Sequence, residues 1–300
     1  MVELLKNTSI DFIGFRKKAF IVSTILVAIG LYAFIMISFG KANLSVDFTG
    51  GTNLLVKFDN QVDIGKLRSA FFDGGVEDVQ IQQISGTKEF FIKTKLADNE
   101  NEKIYDKISA ILSNKFQDNK YEIKSSNMVG PGVGKDLKKH AIIAACLAFL
   151  GIIIYIAWRF TFVSGIAATI ATFHDVIVIL GVFYILDREI NLLIITALLT
   201  VAGYSLQDTV VVFDRIRENM PKMKSRSDLG NVINRSVNEV LSRTVVTGIS
   251  TLIVLGILMI FGGEVLFDFA FALCIGLIVG TYSSIFVASP IIYVWKNKVR

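Results

Sequence analysis

Charge is scarce in this 300-residue chain: only 19% of its residues are Asp, Glu, Lys or Arg, while 53% are hydrophobic. A soluble domain carries roughly a quarter charged residues, and here the apolar residues are gathered into long uncharged runs, which excludes an ordinary soluble fold. There are two cysteines, Cys146 and Cys274, and both fall inside such runs. The polar segment between the first two runs therefore has no disulfide. Neither cysteine has a metal-ligand neighbour at a usual spacing, which leaves packing inside a helix bundle as their role. Two histidines, His140 and His174, are too few for a histidine-rich metal site. The formal net charge of +5 first suggests nucleic acid, but the basic residues sit beside the apolar runs, where they set topology, so no nucleic-acid partner is expected.

Six runs are long enough to cross ~30 Å of hydrocarbon at ~1.5 Å per residue. They cover 19–40, 141–158, 160–186 (interrupted by His174-Asp175), 190–213 (carrying Asp208), 244–263 and 269–295 (with Pro290 near its end). Lys and Arg in the short flanks give the orientation. On one side lie Lys6, Arg16, Lys17 and Lys18, then Arg159, then Arg215, Arg217, Lys222, Lys224, Arg226, Arg235 and Arg243, then Lys296, Lys298 and Arg300. The two opposite short loops hold only Arg188. Both termini are therefore expected in the cytoplasm. Lys135, Lys138 and Lys139 fall on the other side, but a long folded loop is exported largely regardless of charge. The first run follows an 18-residue leader and precedes no small-residue cleavage pattern, so it reads as a span and not as a cleaved signal. The expected organisation is an N-terminal flank at 1–18, span one at 19–40, an exported domain at 41–138, spans two to six at 139–295 with a cytoplasmic loop at 214–243, and a tail at 296–300.

Between spans one and two the periodicity alternates. Asn53 to Phe58 reads as a strand, and Ile64, Leu67 and Phe71 recur at helical spacing until Gly74-Gly75. Val79 and Ile81, then Phe90 and Ile92, alternate as strands. Ile104, Ile108, Ile111, Leu112 and Phe116 form one face of a second helix, and Tyr121 to Lys124 closes the pattern as a strand. The order β-α-β-β-α-β is the ferredoxin-like, split βαβ plan. The stretch Gly130-Pro-Gly-Val-Gly-Lys-Asp136 superficially suggests a phosphate loop. That motif requires glycine where Val129 stands and Ser or Thr where Asp136 stands. It reads instead as a flexible hinge between domain and span two.

An ionisable group at mid-span costs at least ~2.5–3.5 kcal/mol, so each one calls for a reason. Asp208, five residues from the end of span four, lies ~8 Å inside the apolar run. It is either a carboxylate that takes up and releases a proton or a paired group that pins helices together. Arg243, at the start of span five, either approaches Asp208 or snorkels to the interface. His174-Asp175, near the middle of span three, is either a titrating pair or a static hydrogen-bonded clamp. Asp214, Arg215, Arg217 and Glu218 read as a charged helix end at the membrane surface. An intramembrane aspartyl protease built on Asp175 and Asp208 is disfavoured because both lack that family's glycine two positions earlier.

Four stretches resemble the SecF family of bacterial protein-export subunits: Val46-Asp-Phe-Thr-Gly-Gly-Thr52; Gly203-Tyr-Ser-Leu-Gln-Asp-Thr-Val-Val-Val-Phe-Asp-Arg-Ile-Arg-Glu-Asn219; Leu241-Ser-Arg-Thr244 with Phe261-Gly-Gly263; and Phe173-His-Asp-Val176. Gln207 departs from the family, which has asparagine there. The resemblance implies a six-span half of an RND-type transporter with one ferredoxin-like exported domain, in the bacterial inner membrane and paired with SecD. It implies a role with the SecYEG channel, the SecA ATPase and the accessory protein YajC, drawing polypeptides outward at the expense of a proton or sodium gradient. No enzymatic activity and no cofactor are implied. Carried onto this chain, Asp208 becomes the coupling carboxylate and Arg243 its modulating partner, with His174 and Asp175 as further candidate ion-coupling residues. The alternatives are a non-conducting scaffold of the export channel and a half-size transporter of small molecules.

Overall fold

The computed structural model describes residues 8–76, 79–84, 87–94, 101–223, 225 and 228–298. Of the basic residues that set the expected orientation, Lys6, Lys224, Arg226 and Arg300 lie outside this set. Two compact units emerge: 1–43 together with 144–300, and 44–143.

Helix α1, Arg16–Ser38, is the first long apolar helix. The smaller unit starts with a four-residue helix, α2 (Val46–Thr49), whose first turn is capped by Ser45 through Asp47 N–H. Strand β1 (Gly51–Phe58), helix α3 (Ile64–Asp73), strands β2 (Val79–Gln83) and β3 (Glu89–Thr94), helix α4 (Asn101–Lys115) and strand β4 (Tyr121–Val129) follow. The four strands run in the order β2-β3-β1-β4 with every neighbour antiparallel. This is the expected ferredoxin-like sheet. Alternation explains it: Leu54, Val56 and Phe58 of β1 and Phe90 and Ile92 of β3 are fully buried. They meet Leu67 and Phe71 of α3 and Ile108 and Leu112 of α4. Phe58 sits among three rings, with centroids at 5.7 Å (Phe90), 5.4 Å (Phe116) and 6.2 Å (Tyr121).

Two local expectations are corrected. Strand β1 begins at Gly51 and not at Asn53, because Gly50 (φ 69°) and Gly51 (φ 138°) turn the chain from α2 into the sheet. A Cβ on Gly51 would lie 2.4 Å from the Thr94 carbonyl oxygen, so only glycine fits. The expected hinge at 130–134 is helical from Pro131 on, which leaves Gly130 alone between β4 and the next helix. Pro131 opens helix α5, Pro131–Arg159, at a position where its missing N–H costs nothing. Gly134 is a packing residue: a Cβ there would come within 2.9 Å of the Gly50 nitrogen.

In the larger unit, helices α6 (Phe162–Ile185), α7 (Leu192–Asn219), α8 (Leu229–Phe261), α9 (Gly263–Ser283) and α10 (Ser289–Lys298) follow. Thr161 caps α6 and Asn191 caps α7. Among the described residues six stretches are long and apolar enough to cross a membrane: 16–38, 132–159, 162–185, 192–219, 229–261 and 266–298. Helix α6 is the hub, packed on α1, α7 and α9. Its approach to α1 is backbone-close, since a Cβ on Gly30 would fall 2.2 Å from the Ile177 carbonyl oxygen.

The segment at 214–243 is mostly helix and not a loop. Helix α7 continues to Asn219, a 3₁₀ turn covers Met220–Lys222, and α8 begins at Leu229. Leu229, Ile233, Val237 and Leu241 recur at helical spacing and are buried with Phe213 and Ile216 of α7. Between α9 and α10 the last span passes through a π-helical turn, Ser284–Ala288. Pro290 lacks the N–H that would bond Phe286, and the Ser289 hydroxyl donates to the Ser284 carbonyl at 3.0 Å, which accounts for the widened turn.

Candidate functional site

The residues singled out in the spans converge on the α6–α7–α9 core and its α8 flank. Asp175, on the buried face of α6, is fully enclosed. Its Oδ1 meets His174 Nδ1 at 2.9 Å. Its Oδ2 accepts from Ser283 Oγ of α9 at 2.8 Å and from Ser205 Oγ of α7. Three helices thus close on one carboxylate. His174 is 3% exposed and its Nε2 has no hydrogen-bond partner.

Asp208 lies on the same helix as Ser205, three residues on, and is only half-buried. One hydrogen bond reaches it, from Thr281 Oγ1 of α9 to Oδ2 at a long 3.5 Å. Arg243 stands exposed on α8, close enough to act on Asp208 electrostatically. No ion pair joins the two among the described residues.

Magnitudes separate the two acids. A hydrogen bond to a charged group contributes ~1.5–3 kcal/mol, so three of them offset the ~2.5–3.5 kcal/mol cost of a mid-span charge at Asp175. A single long bond does not do so at Asp208. Asp208, with one long hydrogen bond and Arg243 at a distance, is thus the carboxyl with fewer direct donors.

Sequence reasoning found Asp208, Arg243, His174 and Asp175, but not Ser205, Thr281 or Ser283. Hydroxyls in apolar helices are commonplace, and only the Ser283-Ser284 doublet preceding Pro290 hinted at a polar seam. Ser284 extends that seam, sharing a 2.8 Å hydrogen bond with Thr209 of α7. The cluster at 214–218 does form a charged helix end. Arg215 pairs with Glu218 at 2.7 Å and with Glu239 of α8 at 2.6 Å, and Asp214 pairs with Arg159 at 2.9 Å. Among the described residues no group of three His, Cys, Asp or Glu side chains is placed to hold a metal.

Outside the spans, the segment before α1 is strapped to the first turns of α8. Asn234 Oδ1 accepts from Ile13 N–H at 2.9 Å, and Asn238 both accepts from Ile10 N–H at 3.1 Å and donates to its carbonyl at 2.9 Å. The Gly14 N–H and the Asn234 amide hold the Asp11 carboxyl below the usual carboxylate range.

Comparison with known proteins bears on the family and the fold. The family described as "Protein export membrane protein SecD/SecF, C-terminal" matches residues 108–298, and the "SecD/SecF GG Motif" matches 36–62, the stretch that contains the Gly50-Gly51 turn. A protein translocase subunit SecF from Thermodesulfovibrio yellowstonii is 48% identical over 97% of this chain and 96% of its own length. One from Calditerrivibrio nitroreducens is 42% identical over 99% and 97%. The crystal structure of SecDF from Thermus thermophilus, a translocon-associated membrane protein, superposes with a TM-score of 0.85 at 33% identity over 97% of this chain. The chain spans only 39% of that longer protein. The six apolar helices, the split βαβ sheet and full-length similarity lead to one conclusion: the chain belongs to the SecD/SecF family of protein-export membrane proteins, among its SecF members.

Proposed function

We propose that this chain is the SecF subunit of a bacterial protein translocase, paired with SecD in the inner membrane, both of its termini cytoplasmic, and that it couples a cation gradient to export through Asp208. The names of its relatives and the SecDF similarity support the export role and the pairing. The observation that carries the coupling role is the weak tether of Asp208 among the described residues: one 3.5 Å hydrogen bond, no ion pair, and Arg243 at electrostatic range.

Neutralising Asp208 from outside weakens its attraction to Arg243 and its hold on Thr281, so α7, α8 and α9 repack. Loss of the cation to the inside resets them. One charge crossing the field supplies ~2.3 kcal/mol per 100 mV, enough to shift a two-state equilibrium about fifty-fold. The late, outward stage of export, after SecYEG and SecA have started the polypeptide, is where such a device acts, with YajC as an accessory. This is transport and not enzymatic turnover. In membranes holding SecD and the export channel, Asp208→Asn is expected to abolish the part of export that an uncoupler removes. Export that stays equally sensitive to the uncoupler in the variant overturns the reading.

A further inference from the structure

The His174–Asp175 pair is separate from the Thr281–Asp208 contact, and the coupling step above makes no use of it. We infer that His174 and Asp175 form a second proton-holding site, with His174 Nε2 as the atom at which the proton arrives and leaves. The inference rests on the ion-driven reading, because a second proton store bears on export only if ions drive it.

The hydrogen-bond pattern suits an ionised Asp175. Ser205 and Ser283 both donate to Asp175 Oδ2, and Oδ1 faces His174 Nδ1. With Asp175 ionised, Nδ1 carries hydrogen and donates, which leaves Nε2 as a bare lone pair and the pair with one negative charge. A proton that reaches Nε2 forms one N–H bond and turns the imidazole into imidazolium. The Nδ1–H bond and both serine bonds survive, and the pair becomes neutral. Its removal returns the same atoms to the same places. The site therefore changes charge without rearranging. Among the described residues the buried Nε2 has no partner, which leaves its lone pair open to that proton. A static clamp would need Nδ1 alone, and an amide side chain would provide it without a stranded ring nitrogen.

The surroundings single out what the pair responds to. On the helices packed against α6, the titratable groups away from the helix ends are Asp208 and the exposed Tyr204 on α7, Tyr282 and Cys274 on α9, Tyr32 on α1, and Tyr293 on α10, whose ring lies under Arg16. The Tyr282 ring is 6.2 Å from that of His174, and its hydroxyl is engaged by Ser23 and the Ala19 carbonyl. Tyr32 packs on Tyr184, 10 residues along α6 from His174. The remaining charges of α1, α7, α9 and α10 lie at helix ends, at 16–18, 214–218, 264–268 and 296–298. Asp208 is the carboxyl among these groups. The link is physical: α7 supplies both Ser205 and Asp208, and α9 supplies both Ser283 and Thr281, so sliding α9 along α7 alters both carboxylates together.

Because the chain has two histidines, His140→Gln at the exposed start of α5 leaves His174 as the only one. The full-length His140→Gln protein, with ¹⁵N-labelled histidine in lipid nanodiscs, is followed by NMR from about pH 5 to pH 9. Nε2 is expected to pass from bare to protonated in one transition while Nδ1 keeps its hydrogen throughout. Adding Asp208→Asn should move the midpoint by at least about half a pH unit. An Nε2 signal fixed in one state over the whole range overturns the inference. If uncoupler-sensitive export is lost in Asp208→Asn while His174 never titrates, the ion-driven reading stands and this inference alone falls.

Discussion

At the scale of single residues, the role of each buried polar group depends on how many donors it finds. Asp208, Asp175, His174 and Arg243 were legible because ionisable side chains stand out in apolar runs. Their relative roles were not, since donor counts depend on which helices meet. Ser205, Ser283 and Thr281 owe their importance to that meeting alone. Asp11 shows the same logic outside the spans. Its carboxyl is held below the usual range by Gly14 N–H and Asn234, so its contribution is complete above the ordinary carboxylate range near pH 4 and is lost as pH falls through its own lower value. Asn234→Ala, which removes a bond to Asp11 and one to Ile13, is expected to free the strap at neutral pH. Proteolysis of the segment before α1 should then become markedly faster, and an unchanged cleavage rate would contradict the clamp.

At the scale of elements, the six apolar helices and helices α3 and α4 with the strands of the small unit follow from periodicities of 3.6 and 2. Their boundaries did not. The sheet starts two residues early because Gly50-Gly51 supplies a turn that only glycine adopts there. Helix α8 starts fifteen residues before the expected span because Leu229, Ile233, Val237 and Leu241 bury a stripe that hydropathy averaging blurs. Two substitutions test the packing. Gly30→Val places two methyl groups where α1 and α6 touch backbone to backbone, and should lower the thermal midpoint in detergent by an amount equivalent to ~1–3 kcal/mol. Phe58→Ala empties the centre of the aromatic cluster and should destabilise the small unit by ~3–5 kcal/mol. Faster hydrogen exchange across β1 and β3, with the apolar helices unaffected, is the expected readout.

For the whole molecule, the family membership, the six spans and the ferredoxin-like sheet make one consistent SecF-type half. The sequence reading reached that architecture because the long apolar runs and the Gly203–Asn219 stretch are both specific. It misjudged 130–134 as a hinge, since glycines that permit close packing, like Gly134 against Gly50, look the same in sequence as glycines that permit motion. The central claim is that Asp208 changes its charge during work. The direct measurement is infrared difference spectroscopy of the chain with SecD in lipid, as the pH is stepped across the physiological range. The account predicts a protonated-carboxyl band that grows and fades with pH and disappears in Asp208→Asn. A wild-type band that never changes, or one that survives the substitution intact, would contradict it.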